Sequence, residues 1–102
     1  MLRNYYKFLL LMPFLFFTLI ASATNYYLSN SGNDSNSGTD PSSPWQTINK
    51  LNSFKGISPG DNVYFNRGDV FYGGIVINSS GITIDAYGSG ANPVITGFTT
   101  VN

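Results

Sequence analysis

The sequence predicts an all-β solenoid that opens with a short capping α-helix. Three observations carry this. Short apolar runs recur at a fixed offset: Val63 to Ile82 and Ile75 to Val94 are each 19 residues apart, the mark of coils stacked on one another. Turn residues punctuate the runs at Arg67-Gly68-Asp69, Asn78-Ser79-Ser80-Gly81, Gly88-Ser89-Gly90 and Gly97. An amphipathic helix precedes them, where the open end of a solenoid needs a cover for its apolar rings and unpaired backbone. A small antiparallel sandwich has strands at similar spacing. The helix placed ahead of the strands favours the solenoid.

The first 23 residues read as a targeting segment. Arg3 and Lys7 precede a run from Phe8 to Ile20 that is apolar apart from Pro13 and Thr18. That run is too short for a transmembrane helix, which needs about 20 residues. Ala21-Ser22-Ala23 then puts small residues at the −3 and −1 positions of a signal-peptidase site. No Cys stands at the cleavage point to take a lipid. Residues 1–23 are therefore expected to be removed and the protein to be secreted or held at the cell surface, without membrane association. Residues 24–102 keep Lys50, Lys55 and Arg67 against five Asp, a formal charge of −2. The neutrality of the whole chain comes from its leader.

Composition excludes several chemistries. There is no His and no Cys, and all five acids are Asp: Asp34, Asp40, Asp61, Asp69 and Asp85. Disulfides, Cys/His zinc sites, histidine triads and thiol nucleophiles are ruled out. The balance of charge offers no basic surface for nucleic acid. Without disulfides, a domain of this size depends on a marginal core.

The elements follow in order. Tyr26-Tyr27-Leu28 has the composition of a short strand. Residues 30–43 are nearly all Asn, Ser, Gly, Asp and Thr, a loop whose side chains bond their own backbone. Asp34 and Asn36 have the start of a calcium-loop spacing, but Gly38 has no side-chain oxygen and no Glu closes the ring. Ser43-Pro44-Trp45-Gln46 is a capping box with Pro at the first helical position. The helix is expected over Ser43 to about Phe54, with Trp45, Ile48 and Leu51 on its apolar face and Gly56 as its stop. Ser58-Pro59-Gly60-Asp61 has the type II turn pattern. Strands are then expected at 63–65, 75–77, 82–84 and 94–96.

Several of these residues resemble a known family. Tyr26-Tyr27-Leu28-Ser29, Gly32, Asp34, Gly38-Thr39 and Pro44-Trp45 look like the opening of secreted right-handed parallel β-helix proteins of the pectate-lyase-like superfamily. Gly60-Asp61-x-Val63-x-Phe65-x-x-Gly68-Asp69-x-Phe71-x-Gly73 is similar to the stretch that starts their first coil. Ala86-Tyr87-Gly88-x-Gly90-x-x-Pro93-Val94-Ile95-x-Gly97 resembles the next segment. The resemblance implies a polysaccharide lyase or glycoside hydrolase, or alternatively a non-catalytic surface adhesin. Family members carry their catalytic Asp, Lys or Arg and any calcium ligands on later coils. No position here matches those motifs, so no catalytic, cofactor-binding or metal residue is assigned. Calcium and polysaccharide are expected only for a full-length parent.

The expected organisation is a signal peptide over 1–23, a strand, polar loop and capping helix over 24–60, and the first one or two coils over 61–102. The chain reads as a truncated piece of a longer protein, since about three repeats are needed for stability. Alone it is expected to lack catalytic activity and to self-associate.

Residues that invite functional readings have structural ones beside them. Asp61 and Asp69 flank a strand as a carboxylate pair would, yet each follows Gly in a turn. Arg67-Gly68-Asp69 spells an integrin-type tripeptide but belongs to the family-like turn. Tyr26, Tyr27, Trp45, Tyr64, Tyr72 and Tyr87 suggest a sugar-stacking platform, with Trp45 assigned to the core by its helix face. Asn33-Asp34-Ser35 and Asn78-Ser79-Ser80 are formal glycosylation sequons.

Overall fold

The computed structural model describes residues 22–97. The leader, apart from Ser22 and Ala23, lies outside the described residues, as does Phe98. Among the described residues, five strands and one helix follow in the order β1 (Asn25–Leu28), α1 (Ile48–Ser53), β2 (Asn62–Asn66), β3 (Val70–Tyr72), β4 (Thr83–Tyr87) and β5 (Val94–Thr96). One sheet has the order β1-β2-β4 and the other pairs β3 with β5. Every pairing is parallel.

This α/β arrangement of two small parallel sheets overturns the expected all-β, right-handed parallel β-helix. A solenoid keeps a constant repeat, and the ladders do not keep one. Val63 lies opposite Ile84 and Val70 opposite Val94, offsets of 21 and 24 residues, while β1 meets β2 across 37. No closed sheet is formed among the described residues. The 19-residue spacing arose from apolar runs whose limits are not those of the ladders. The run at 75–77 forms no strand, because Asn52 of α1 takes its backbone instead. Val76 N–H donates to Asn52 Oδ1 (2.9 Å), and Asn52 Nδ2 donates to the Gly74 carbonyl (2.8 Å). Val70–Tyr72, not expected as a strand, forms β3. The strand expected at 82–84 starts one residue later and runs to Tyr87.

Period-two alternation places the core between the sheets and the helix. Tyr26 and Leu28 of β1, and Val63 and Phe65 of β2, point inward and are buried. They meet Trp45, Ile48, Leu51 and Phe71 in one cluster. Trp45 stacks on Tyr26 with centroids 5.3 Å apart, and Phe65 meets Phe71 edge-on at 4.9 Å. The expected apolar trio of Trp45, Ile48 and Leu51 is thus buried together.

The helix itself begins later than the capping box predicts. Trp45 is committed to extended backbone: its N–H donates to the Tyr27 carbonyl (2.9 Å) and its carbonyl accepts from Ser29 N–H (2.9 Å). Pro44 lends its carbonyl to Asn33 N–H and Asn36 Nδ2. With both residues held by β1 and the polar loop, α1 starts only at Ile48, capped by Thr47, whose Oγ1 accepts from Lys50 N–H (3.1 Å). It ends at Phe54, in extended conformation, rather than at Gly56. The turn at 58–61 forms as expected. Asp61 N–H donates to the Ser58 carbonyl (3.1 Å), and Gly60 takes φ +92°, open to glycine at no steric cost.

Candidate functional site

The Asp carboxylates that sequence reading weighed as chemistry are occupied in holding backbone. Asp61 is buried. Its Oδ1 accepts from Thr24 N–H and its Oδ2 from Ser58 N–H, both at 2.9 Å. Asp69 Oδ2 accepts from Asn30 N–H (2.8 Å), Asn66 Nδ2 (3.0 Å) and Ser29 Oγ (3.4 Å). Burial would raise its carboxyl, but these three donors outweigh it and hold the group below its ordinary range. Asp34 is held low in the same way. Burial opposes ionisation, and the Thr47 hydroxyl, the Gln46 and Thr47 N–H groups and the Lys50 charge overcome it. Asp34 therefore organises the entry to α1, and the calcium-loop spacing resolves into a cap. Asp40 closes a turn through Ser42, and Asp85 accepts from Ala86 N–H on the exposed face of β4. Among the described residues, no three acidic side chains gather where they would hold a metal ion.

The tripeptide at 67–69 is tied down as well. Arg67 donates to Asn92 Oδ1, and Asp69 turns toward β1 and the polar loop. Asn33 accepts from Ser35 N–H and Oγ in a local turn, and Ser79 Oγ donates to the Ile57 carbonyl.

The six aromatic residues do not form one platform. Tyr26 and Trp45 are core. Tyr27 and Tyr64 share the outer face of the larger sheet, where they stack on each other at 5.4 Å, and Tyr87 meets Tyr27 edge-on at 5.1 Å. The three rings pack on one another and are half-buried. Burial pushes the Tyr87 hydroxyl up, and the nearby Asp69 adds to this. Tyr72 alone is freely presented, with 67% of its surface exposed.

Tyr72 stands on the rim of a groove of about 390 Å³. Ile48 and Phe71 line its apolar part, and Asn30, Gln46 and Thr47 supply polar groups. Asn30 reaches β3 across 40 residues: Val70 N–H donates to its Oδ1 (3.3 Å) and its Nδ2 donates to the Val70 carbonyl (3.2 Å). Gln46 Nε2 donates to the Asn30 carbonyl (3.3 Å), leaving Oε1 without a partner among the described residues. On its other side β3 bonds β5 through the Asp69 carbonyl and Gly73 N–H. The alternation of a parallel ladder then turns the Tyr72 N–H and carbonyl away from β5, toward the groove. No lining residue is charged. The groove thus offers the Tyr72 ring for stacking and the Gln46 Oε1 as an acceptor, the Asn30 amide and the Thr47 hydroxyl being already engaged, and no acid or base for bond cleavage lines it. Sequence reading named Tyr72 but missed Asn30, Gln46 and Thr47. Their convergence depends on the long-range Asn30–Val70 pairing, for which no local signal exists.

No family model matches the chain. The expected pectate-lyase-like resemblance is overturned by the proteins it does match. It is 35% identical over 89 residues to a lacto-N-biosidase of Bifidobacterium longum subsp. longum, covering 76% of this chain and 6% of that protein. It is also similar to the crystallised GH136 lacto-N-biosidase of Eubacterium ramulus. The selenomethionine form superposes with TM-score 0.60 at 34% identity over 69% of this chain, and the native form with TM-score 0.59 over 68%. Each match spans 12% of the crystallised chain. The chain is therefore related, over a small part of their length, to GH136 lacto-N-biosidases.

Proposed function

We propose that this chain is part of an exported glycoside hydrolase that acts on a neutral oligosaccharide, and that its share of the work is structural and substrate-contacting rather than catalytic. The observation that carries the reading is the 34–35% identity to lacto-N-biosidases in both comparisons. The site chemistry supports the division of labour. Both Asp61 oxygens and the Asp69 Oδ2 are engaged by backbone and side-chain donors, whereas glycoside cleavage needs one carboxyl free to protonate and another free to attack or activate water. The Tyr72 groove suits a neutral sugar ring, through stacking and amide hydrogen bonds. Export rests on the basic flank, apolar run and Ala21-Ser22-Ala23 box.

The test is hydrolysis by the full-length exported protein. It should release lacto-N-biose from an aryl lacto-N-bioside. Asp61→Asn and Asp69→Asn should leave the turnover of the folded fraction unchanged, while Tyr72→Ala should raise KM with kcat held. Absence of hydrolysis across neutral glycosides would refute the enzyme reading. Loss of kcat in a folded Asp61 or Asp69 variant would refute the division of labour.

A further inference from the structure

Thr24 is held on both of its backbone sides. Its carbonyl accepts from Asn62 N–H (2.9 Å), and its N–H donates to Asp61 Oδ1 (2.9 Å). Asp61 is only 4% exposed, and no Lys or Arg bonds to it among the described residues. A buried carboxylate satisfied only by neutral N–H groups keeps its negative charge uncompensated, which costs free energy. The residue whose nitrogen faces this carboxylate is also the one that follows Ala21-Ser22-Ala23.

We infer that removal of the leader after Ala23 creates an internal ion pair between the new α-ammonium of Thr24 and the Asp61 carboxylate, so that processing locks the start of β1 onto the turn before β2. This rests on the export reading above. Signal peptidase hydrolyses the Ala23–Thr24 peptide bond with one water. Ala23 keeps the carboxylate, Thr24 keeps the amine, and the amine takes a proton from solvent. The nitrogen does not need to move. An amide donor already 2.9 Å from Oδ1 becomes an ammonium at the same place. A charged donor makes a shorter and stronger bond than a neutral one, and it supplies the missing countercharge. The uncleaved precursor has the hydrogen bond without the charge.

The sign of the pH dependence follows. A neighbouring carboxylate raises the α-amine above its ordinary range of about 8. The added stability is then fully present below the unfolded amine's pKa and is lost as pH rises through the folded value. The other titrating group facing this pair among the described residues is Tyr26, whose hydroxyl is pushed up by burial and by the Asp61 charge, with a hydrogen bond to Thr24 opposing them.

The experiment uses the full-length exported protein. Mass spectrometry fixes its first residue. A start at any residue other than Thr24 overturns the inference and the cleavage assignment together. With Thr24 first, acylation of the α-amine at neutral pH should be about tenfold slower than in Asp61→Asn, the factor of one pKa unit. The denaturation midpoint should fall on the alkaline side of neutrality in the parent. It should stay flat in Asp61→Asn and in protein enzymatically acetylated at Thr24. If Asp61→Asn does not fold, the comparison of acetylated and free parent decides alone. Equal acylation rates, or an alkaline limb that survives acetylation, would overturn the ion pair while leaving cleavage intact.

Discussion

The Asp34 carboxylate lies 2.7 Å from the Thr47 hydroxyl and sets the start of the helix from 13 residues away. Its other oxygen takes the N–H groups of Gln46 (2.8 Å) and Thr47 (2.9 Å). Thr47 in turn caps α1. One side chain therefore joins the polar loop to the helix, and the loop is ordered by the element it precedes.

Asp34→Ala should destabilise the folded protein by about 1–3 kcal/mol, the cost of orphaning part-buried donors. Thr47→Ala should cost about 1 kcal/mol, the usual effect of losing an N-cap. Urea denaturation of the full-length protein measures both. A double variant whose loss falls well short of the sum would confirm that the two residues act as one unit.

Acid should loosen the same region. Asp34 and Asp69 both have folded values below their ordinary 3.8. A depressed carboxyl contributes stability that is present above its unfolded pKa and lost as pH falls through the folded one. Denaturation midpoints should hold from neutrality down to the carboxylate range and then decline. The decline should be shallower in Asp34→Asn.

Trp45 is the sole tryptophan and is 1% exposed. Its emission should be blue-shifted and resist quenching by iodide. Trp45→Ala should cost about 3–5 kcal/mol. A red-shifted, readily quenched signal would contradict this packing.

Gly38 lies against that ring. A Cβ there would sit 2.4 Å from Trp45 Cε2, on a backbone with φ +76°. Gly38→Ala should therefore be strongly destabilising, by about as much as an overpacked core, 1–3 kcal/mol. Gly74→Ala meets open space and ordinary φ, and should be close to neutral. Thermal melting of the two variants makes the comparison.

Residues 24–102 expressed alone should self-associate. Among the described residues β4 pairs with β2 alone, and Ile84, Val94 and Ile95 are 44%, 51% and 38% exposed. Unpaired parallel edges with apolar side chains recruit further chains. Light scattering should show association that Val94→Lys reduces. A monodisperse monomer that melts cooperatively would contradict this.

The legible parts of the fold were those written locally. Tyr26-Tyr27-Leu28 and the turn at Ser58–Asp61 carry their signal within a few residues and appear; Trp45, Ile48 and Leu51 are buried together as expected, but only Ile48 and Leu51 from the helix. The capping box at Ser43 misled because a distant partner won: Tyr27 and Ser29 claim the backbone of Trp45 before a helix can. The run at 75–77 has strand composition, yet the Asn52 side chain takes its backbone. β3 is three residues long and has only Phe71 buried, too little alternation to read. The groove was hidden for the same reason as the helix start. Asn30 becomes informative only once Val70 is beside it.

The parallel pairing of β1 with β2 also fixes an order of events. Asn25 finds its partner at Asn62, and closing a loop of that length costs about 3 kcal/mol in chain entropy. Until β2 has been delivered, β1 has only its bridge to Trp45 to hold it. Thr24 and Ser29 then reach Asp61 and Asp69 only after the turns that carry those carboxylates exist. A polypeptide emerging amino-end first from a membrane pore would therefore present its opening strand long before that strand could fold. Only that strand's short bridge to Trp45 would form at once, and the larger sheet would close later, from the middle of the chain backwards onto its own beginning.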